Sequence, residues 1–292
     1  MAGWHEILTS ATSFIGQIWT STPGPVQTIL TAAFGTLIGA WLTGRSQTKR
    51  RVVDELKAIH AAYALCFTIA NKALSMKRQH IRPMKKLYDN VVSTYDAFTE
   101  NPVGPLGLDL DLRTLSQPRF ASDTLERIAF EKCSLGHRAL AAVVSVNDAT
   151  DDLKFSIDFR NDLIADFKKN RPATHFEKIA LYVGAYTNDA VDLRFGHNLD
   201  ALSHQIDDCI FFSMLLANEL LAREKKLYAR HRWKYRLNVP RQFPADWSLA
   251  RQDNLIPDKS QYTDWLRGFG TPPSIWKRLW KRIKQFFSWQ RK

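Results

Sequence analysis

An uncharged, largely apolar run near the N-terminus constrains the fold of this chain more than any other sequence feature. The run extends from Val26 to Thr43 and contains no Asp, Glu, Lys or Arg. At about 1.5 Å per helical residue it measures roughly 27 Å, close to the thickness of the hydrocarbon core of a bilayer. A Pro-Gly-Pro sequence at Pro23 precedes the run and suits the start of a helix. We therefore predict a transmembrane helix over residues 25–44.

The charges on either side of this run predict its orientation. Arg45, Lys49, Arg50 and Arg51 follow it directly, whereas residues 1–25 contain no Lys or Arg. Because basic residues favour the cytoplasmic side, we expect the N-terminus outside a bacterial inner membrane and the bulk of the chain in the cytoplasm. The alternative, a buried helix of a soluble protein, does not account for the step in charge. The lack of a basic N-terminal region also argues against a cleaved signal peptide.

Two glycines within the run, Gly35 and Gly39, form a G-x-x-x-G motif. Small residues at this spacing let the backbones of two membrane helices approach each other closely. We therefore predict that copies of the chain associate through this face of the helix and form a homo-oligomer.

Residues 1–22 show a second apolar pattern ahead of the run. Apolar side chains recur at helical spacing from Trp4 to Trp19, and the opposite face carries Thr, Ser and Gln but no charge. One interpretation is an amphipathic helix that lies at the outer face of the membrane, held by its tryptophans. The other is a second membrane helix whose hydroxyl face lines an oligomeric pore. The pattern favours the first interpretation and leaves the second open.

Residues 45–222 predict a helical cytoplasmic domain. Apolar residues recur at helical spacing through most of this segment, and strand-like alternation is scarce. We therefore expect a mainly α fold, most simply an antiparallel helical bundle. Pro83 should interrupt the first of the expected helices. A loop should cover 101–107, an irregular stretch should follow to Phe120, and Ser122 should cap the next helix. The expected helices cover residues 52–82, 84–98, 122–146, 148–169, 174–194 and 199–229.

Three cysteines, Cys66, Cys133 and Cys209, lie far apart in apolar helical contexts. An odd and scattered set predicts neither a disulfide framework nor a zinc site, so we expect reduced thiols in a packed core. The apolar stretch from Cys209 to Ala217 is too short to span a bilayer, and we interpret it as part of a core helix.

The sequence contains no known catalytic or nucleotide-binding motif, so we expect no catalytic residue and no cofactor. Two polar rows at helical spacing are weak candidates for a metal site, because carboxylate and imidazole groups on one face bind divalent cations. The rows are Asp158, Asp162 and Asp166, and Asp200, His204 and Asp208. For the first row the pattern favours a solvated charged face, since Arg160 is close in sequence. For the second it favours a surface or interhelical hydrogen-bond network.

The basic residues of the chain are concentrated near its C-terminus. The net charge is +12, and residues 221–292 contain 18 Lys and Arg but only 5 Asp and Glu. We describe residues 223–270 as a basic connector. Its first part, Arg223–Arg241, interleaves cations with Trp and Tyr, a composition that binds either nucleic acid or anionic lipid.

Residues 271–292 predict a basic amphipathic helix. One face is apolar and the other carries only cations, which is the pattern of a helix that lies on a membrane surface. The residues that we expect to contact anionic lipid are Trp276, Lys277, Arg278, Trp280, Lys281, Arg282 and Lys284. A protein groove and nucleic acid are the less favoured partners of this helix.

This layout resembles that of small bacterial membrane effectors of phage-defence and toxin systems, in which a helical cytoplasmic module controls membrane-embedded helices. The resemblance implies a non-enzymatic, oligomeric protein that perturbs the membrane when its body receives a signal or partner. One alternative is a membrane-tethered, metal-dependent enzyme that uses Asp158, Asp162, Asp200, His204 and Asp208. Another is a membrane scaffold that recruits nucleic acid or a ribonucleoprotein through Arg223–Arg241.

Overall fold

The computed structural model describes residues 24–104, 106–169, 174–187 and 190–269. The helices predicted over 1–22 and 271–292 lie outside these residues. The chain divides into two compact units. Unit 1 comprises Met1–Asp54 and His231–Leu237, and unit 2 comprises Glu55–Arg230 and Asn238–Lys292.

The described chain is mainly helical, as predicted. The helices are α1 (Gly24–Met76), a π-helical turn (Lys77–Ile81), α2 (Arg82–Glu100), α3 (Ser122–Lys132), α4 (His137–Lys169), α5 (His175–Val183), α6 (Arg194–Tyr235), α7 (Ser248–Gln252), a 3-10 turn (Lys259–Tyr262) and α8 (Thr263–Gly268). Two short strands, β1 (Tyr186–Thr187) and β2 (Ala190–Val191), pair antiparallel between α5 and α6. The domain boundary expected after residue 222 falls inside α6.

The core of unit 2 is built from the apolar faces of its long helices. Leu74 of α1, Val91 of α2, Ile157 of α4, Ile179 of α5 and Ile206 of α6 all belong to one buried cluster. Burying each such aliphatic side chain contributes about 1.5–3 kcal/mol, which offsets the entropy lost on ordering the helices. The segment that follows α6 joins this cluster through Ala250 and Leu255.

The prediction for the cysteines is confirmed. Cys66, Cys133 and Cys209 are buried and free. Cys209 and Ile210 lie fully inside the core cluster, in agreement with the interpretation of the stretch from Cys209 to Ala217 as a core helix.

The α-helical pattern is interrupted near Pro83, as predicted, but the interruption is a π-helical turn and not a break between two separate helices. The chain stays helical from α1 through the π-helical turn into α2, and Pro83 lies in the first turn of α2. The N–H of Arg82 donates to the carbonyl of Lys77, five residues earlier. Because the wider turn ends one α-helix and starts the next, Pro83 lies in a first turn, where a helix tolerates a residue without a backbone N–H.

Three other helix boundaries also differ from the predictions. Helix α5 ends at Val183 because Gly184 adopts a left-handed conformation with φ 81°, whereas a helix to residue 194 was expected. Helix α4 runs without the predicted break near residue 147. At α3 the N-cap is Ala121, and Ser122 is buried with no partner for its hydroxyl, so the expected capping bond is absent from the described structure.

No helix in the described part of the chain is long and apolar enough to cross a membrane. The structure therefore does not support the transmembrane helix predicted over residues 25–44. That segment belongs to α1, but the side chains of residues 24–31 and 34 lie outside the description.

Candidate functional site

Unit 1 presents a row of large apolar side chains to solvent. Leu37, Ile38, Trp41 and Leu42 of α1 are 67%, 56%, 61% and 54% exposed. Four large apolar residues within two turns of one helix form a contiguous patch, and such patches in folded proteins mark surfaces that contact a membrane or another protein. We name this row the apolar row.

The apolar row is followed directly by exposed cations of the same unit. We name them the basic collar, which consists of Arg45, Lys49, Arg50, Arg51, Arg232, Lys234 and Arg236. The last three are from the end of α6 and its following residue, and unit 1 brings them together with the first four. The guanidinium of Arg45 donates to the carbonyl of Lys234 at 2.8 Å, which fixes the end of α6 beside α1.

No described residue outside their own helix approaches the two glycines of the G-x-x-x-G motif. A Cβ atom added at Gly35 or Gly39 would meet no heavy atom within 4 Å among the described residues. The hydroxyl between them, on Thr36, donates back to the carbonyls of Ala32 and Ala33 at 3.0 and 2.8 Å. Because this hydroxyl is bonded within its own helix, the face presents no unsatisfied side-chain donor at that position.

The stretch Arg223–Arg241, predicted to bind nucleic acid or lipid, is divided by the structure. In unit 2 the guanidinium of Arg223 pairs with Glu55 at 2.7 Å, so its charge is offset internally. The buried carboxylate of Glu224 lies 3.1 Å from both His60 Nε2 and the N–H of Gln242. The most exposed aromatic of the stretch is Trp233, at 89%, and it lies in unit 1.

Among the described residues, the two polar rows that were weak candidates for a metal site are not brought together as a group of ligands. The described residues contain no group of three or more His, Cys, Asp or Glu side chains placed to hold an ion. Asp158 accepts a hydrogen bond from Gln117 at 2.5 Å, and Asp162 is exposed to solvent. Arg160 does not belong to a solvated face, because it is 1% exposed and donates to the carbonyl of Asp111 at 3.0 Å.

The second polar row lies against cations from the π-helical turn and α2. Asp200 pairs with Lys85 at 3.0 Å, and Asp208 accepts a hydrogen bond from Tyr262 at 2.8 Å. Asp207, which the sequence pattern did not single out, pairs with Lys77. His204, between them, is exposed. Asp200 and Asp208 therefore belong to an interhelical network, one of the two forms that the sequence pattern favoured.

Burial shapes the electrostatics of this network. It raises the pKa of Asp207, and the hydrogen bond from Lys77 opposes that shift. Burial likewise raises the pKa of Asp208, against the hydrogen bond from Tyr262. The Nζ of Lys77 also donates to the carbonyl of Leu255 at 2.9 Å, so one ammonium joins three parts of unit 2. We name Lys77, Lys85, Asp200, Asp207, Asp208 and Tyr262 the paired network.

A cleft of about 380 Å³ opens beside the paired network. Its lining includes Lys77, Arg82, Lys85, Lys86 and Asp89. No motif in the sequence predicted this cleft, and the one signal for it is the basic run from Lys77 to Lys86 around Pro83. Lys77 and Lys85 already pair with carboxylates, whereas Arg82 and Lys86 form no ion pair within the described residues.

Comparisons of the chain with protein-family models, curated proteins and solved structures find no match.

Proposed function

We propose that this chain is a non-enzymatic membrane protein, anchored by the N-terminal part of α1, whose helical body serves as a sensor or scaffold domain on the cytoplasmic side. The apolar row carries the proposal. The four side chains of this row leave a large apolar area in contact with water. Covering that area with a bilayer would stabilise the protein by about 25 cal/mol for each Å² removed from water.

The order of residue types along α1 supports a membrane as the cover for this row. Aliphatic residues are followed by Trp41 and then by Arg45, whose guanidinium lies 5.4 Å from the centre of the Trp41 ring. Tryptophan favours the boundary between hydrocarbon and headgroups, and arginine favours the cytoplasmic headgroups. The order Leu37, Trp41, Arg45 along the helix therefore follows the polarity gradient from the hydrocarbon core to the cytoplasm.

Topology reporters test this proposal. A reporter that is active only in the cytoplasm should work when fused after Lys292 and fail when fused before Met1. The chain should also remain in the membrane fraction after washing at alkaline pH, which removes peripheral proteins. Activity of both fusions, together with release by the wash, would overturn membrane anchoring.

We further propose that copies of the anchored chain associate through the open face at Gly35 and Gly39 and perturb the membrane as an oligomer. The open space around both glycines supports this step, because a second helix needs such a face to approach closely. Induced expression with a membrane-potential dye tests it. Depolarisation that rises with expression is expected, and an unchanged potential at every expression level would leave only the scaffold role.

A further inference from the structure

We propose that the basic collar of unit 1 binds the phosphate groups of anionic phospholipids. This inference rests on the proposed membrane anchoring, and it assigns the end of α6 to the membrane surface. The bound chemistry is the phosphodiester headgroup of a bilayer leaflet, contacted by cations from two distant parts of the sequence.

The described residues of unit 1 have a large excess of positive charge. The described residues of unit 1 contain seven Lys and Arg side chains and one carboxylate, Asp54. All seven cations are exposed, and within the described chain none of them forms an ion pair. Like charges held together repel one another, so a multivalent anionic surface stabilises this arrangement more than isolated counter-ions do.

The cations of α1 and of the end of α6 lie close together in unit 1. The hydrogen bond from Arg45 to the carbonyl of Lys234 brings the α6 cations beside the residues that follow the apolar row. The same guanidinium retains further N–H donors, since a guanidinium carries five. A surface that accommodates the apolar row is therefore within reach of Arg232, Lys234 and Arg236 as well.

A further observation separates lipid from nucleic acid. Both ligands present phosphates, and both attract exposed Trp and Arg side chains. Leu37, Ile38 and Leu42 precede the collar on the same helix, and these aliphatic side chains have no role in a nucleic-acid contact. Their presence favours a bilayer, which supplies an apolar interior next to its phosphates.

A fluorophore at position 233 reports on the collar. Trp233 is 89% exposed, so Trp233→Cys gives a reactive thiol, whereas the three native cysteines are buried. Burial also raises the pKa of Cys133 to about 11, which suppresses its thiolate. The labelled full-length chain is reconstituted into phosphatidylcholine vesicles and into vesicles of phosphatidylcholine with phosphatidylglycerol.

Two charge-neutralised variants distinguish the collar from general basic charge. The test variant carries Arg232→Gln, Lys234→Gln and Arg236→Gln. The matched control carries Lys225→Gln, Lys226→Gln and Arg230→Gln, which are exposed residues of the same helix that belong to unit 2. Both retain the label at position 233, and circular dichroism checks that both remain helical.

The expected result is that anionic vesicles reduce quenching of the label by a water-soluble quencher by about threefold relative to neutral vesicles, and that added salt reverses the effect. The test variant should lose this protection, and the control should keep it. Equal quenching in neutral and anionic vesicles would overturn the proposal. So would displacement of the label from anionic vesicles by a single-stranded oligonucleotide, which would assign the collar to nucleic acid.

Flotation separates this proposal from membrane anchoring. Flotation with neutral vesicles but equal quenching in the two lipids supports the anchor and rejects the collar. Protection on anionic vesicles without flotation on neutral ones supports the collar and rejects the anchor.

Discussion

Three cations of unit 2 are placed differently from the cations of unit 1. In unit 2, Lys77, Lys85 and Arg223 each lie against a carboxylate, and Lys77 and its partner Asp207 are largely buried. In unit 1, the seven cations of the basic collar are exposed, and the described chain offers them no carboxylate partner. Removing one partner of an ion pair inside a fold leaves the other charge buried and unpaired, whereas exposed and unpaired cations are available to an outside partner.

The total charge of the chain does not show which cations are paired within the fold and which are free to bind a partner. The sequence contains 41 Lys and Arg against 29 Asp and Glu, but these numbers do not separate structural cations from binding cations. The separation depends on which helices pack together. The contrast therefore predicts that substitutions in the paired network change stability, and that substitutions in unit 1 change membrane behaviour.

The largest expected effect on stability is at Lys77. Lys77→Met removes the cation beside Asp207 and leaves the carbonyl of Leu255 without this donor. The free energy of unfolding should fall by about 3 kcal/mol, because a buried carboxylate loses its partner. Urea unfolding followed by circular dichroism measures the change.

The matched control is Arg50→Met in the basic collar. Its unfolding free energy should stay within about 0.5 kcal/mol of wild type, as expected for an exposed and unpaired side chain. In Lys77→Met/Asp207→Leu both charges are absent, and most of the lost stability should return. Equal losses in Lys77→Met and Arg50→Met would remove the distinction between the two units.

The next effect is on membrane partition. Ile38→Asp places a carboxylate in the apolar row, at a cost of about 3 kcal/mol if that position enters hydrocarbon. The equilibrium constant for membrane partition should fall about a hundredfold for that cost, and the fraction of chain that resists an alkaline wash should fall with it. Phe155→Asp is the control, because Phe155 is 72% exposed in unit 2 and should leave the membrane fraction unchanged. Equal release of both variants would show that the apolar row is an ordinary exposed surface.

The sequence predicted elements whose cause is local. The mainly α fold, the buried cysteines and the core helix at Cys209 follow from apolar spacing, which records the face that a helix buries. The end of α5 was missed although its signal is also local, because Gly184 takes a conformation that favours glycine.

Features that depend on tertiary contacts were not predictable in this way. Arg160 was interpreted as a solvated neighbour of Asp158, but it is buried against the carbonyl of Asp111, a residue 49 positions away. The basic collar joins α1 to the end of α6, and the bond between Arg45 and Lys234 spans 189 positions. Periodicity within one helix contains no information on such pairs.

A smaller effect is expected at the glycines of unit 1. Gly35→Ile/Gly39→Ile should leave the unfolding free energy of the body nearly unchanged, since the added side chains meet no described neighbour. Chemical cross-linking in membranes should show several-fold less oligomer, because the bulkier residues keep two helices apart. Ala40→Ile, on an exposed residue between the motif and Trp41, is the control for added bulk. Full cross-linking by the double variant would remove the G-x-x-x-G contact from the proposal.

The smallest expected effect is a change in how stability depends on pH, and it tests whether the paired network is structural. Burial raises the pKa of Asp208, so the folded protein holds this proton to higher pH than the unfolded chain does. Between the usual carboxyl pKa and the raised value, the folded state binds more protons, and the free energy of unfolding therefore falls as pH rises. Asp208→Asn removes this contribution but keeps an oxygen that accepts from Tyr262.

Urea unfolding across the acidic to neutral range should show that the variant is more stable than wild type above the raised pKa. Below the usual carboxyl pKa the two should be nearly equal, because wild-type Asp208 is then protonated. A variant that loses the same stability at every pH would show that the bond to Tyr262 requires the carboxyl group itself, and that the ionisation of Asp208 adds no cost to the fold.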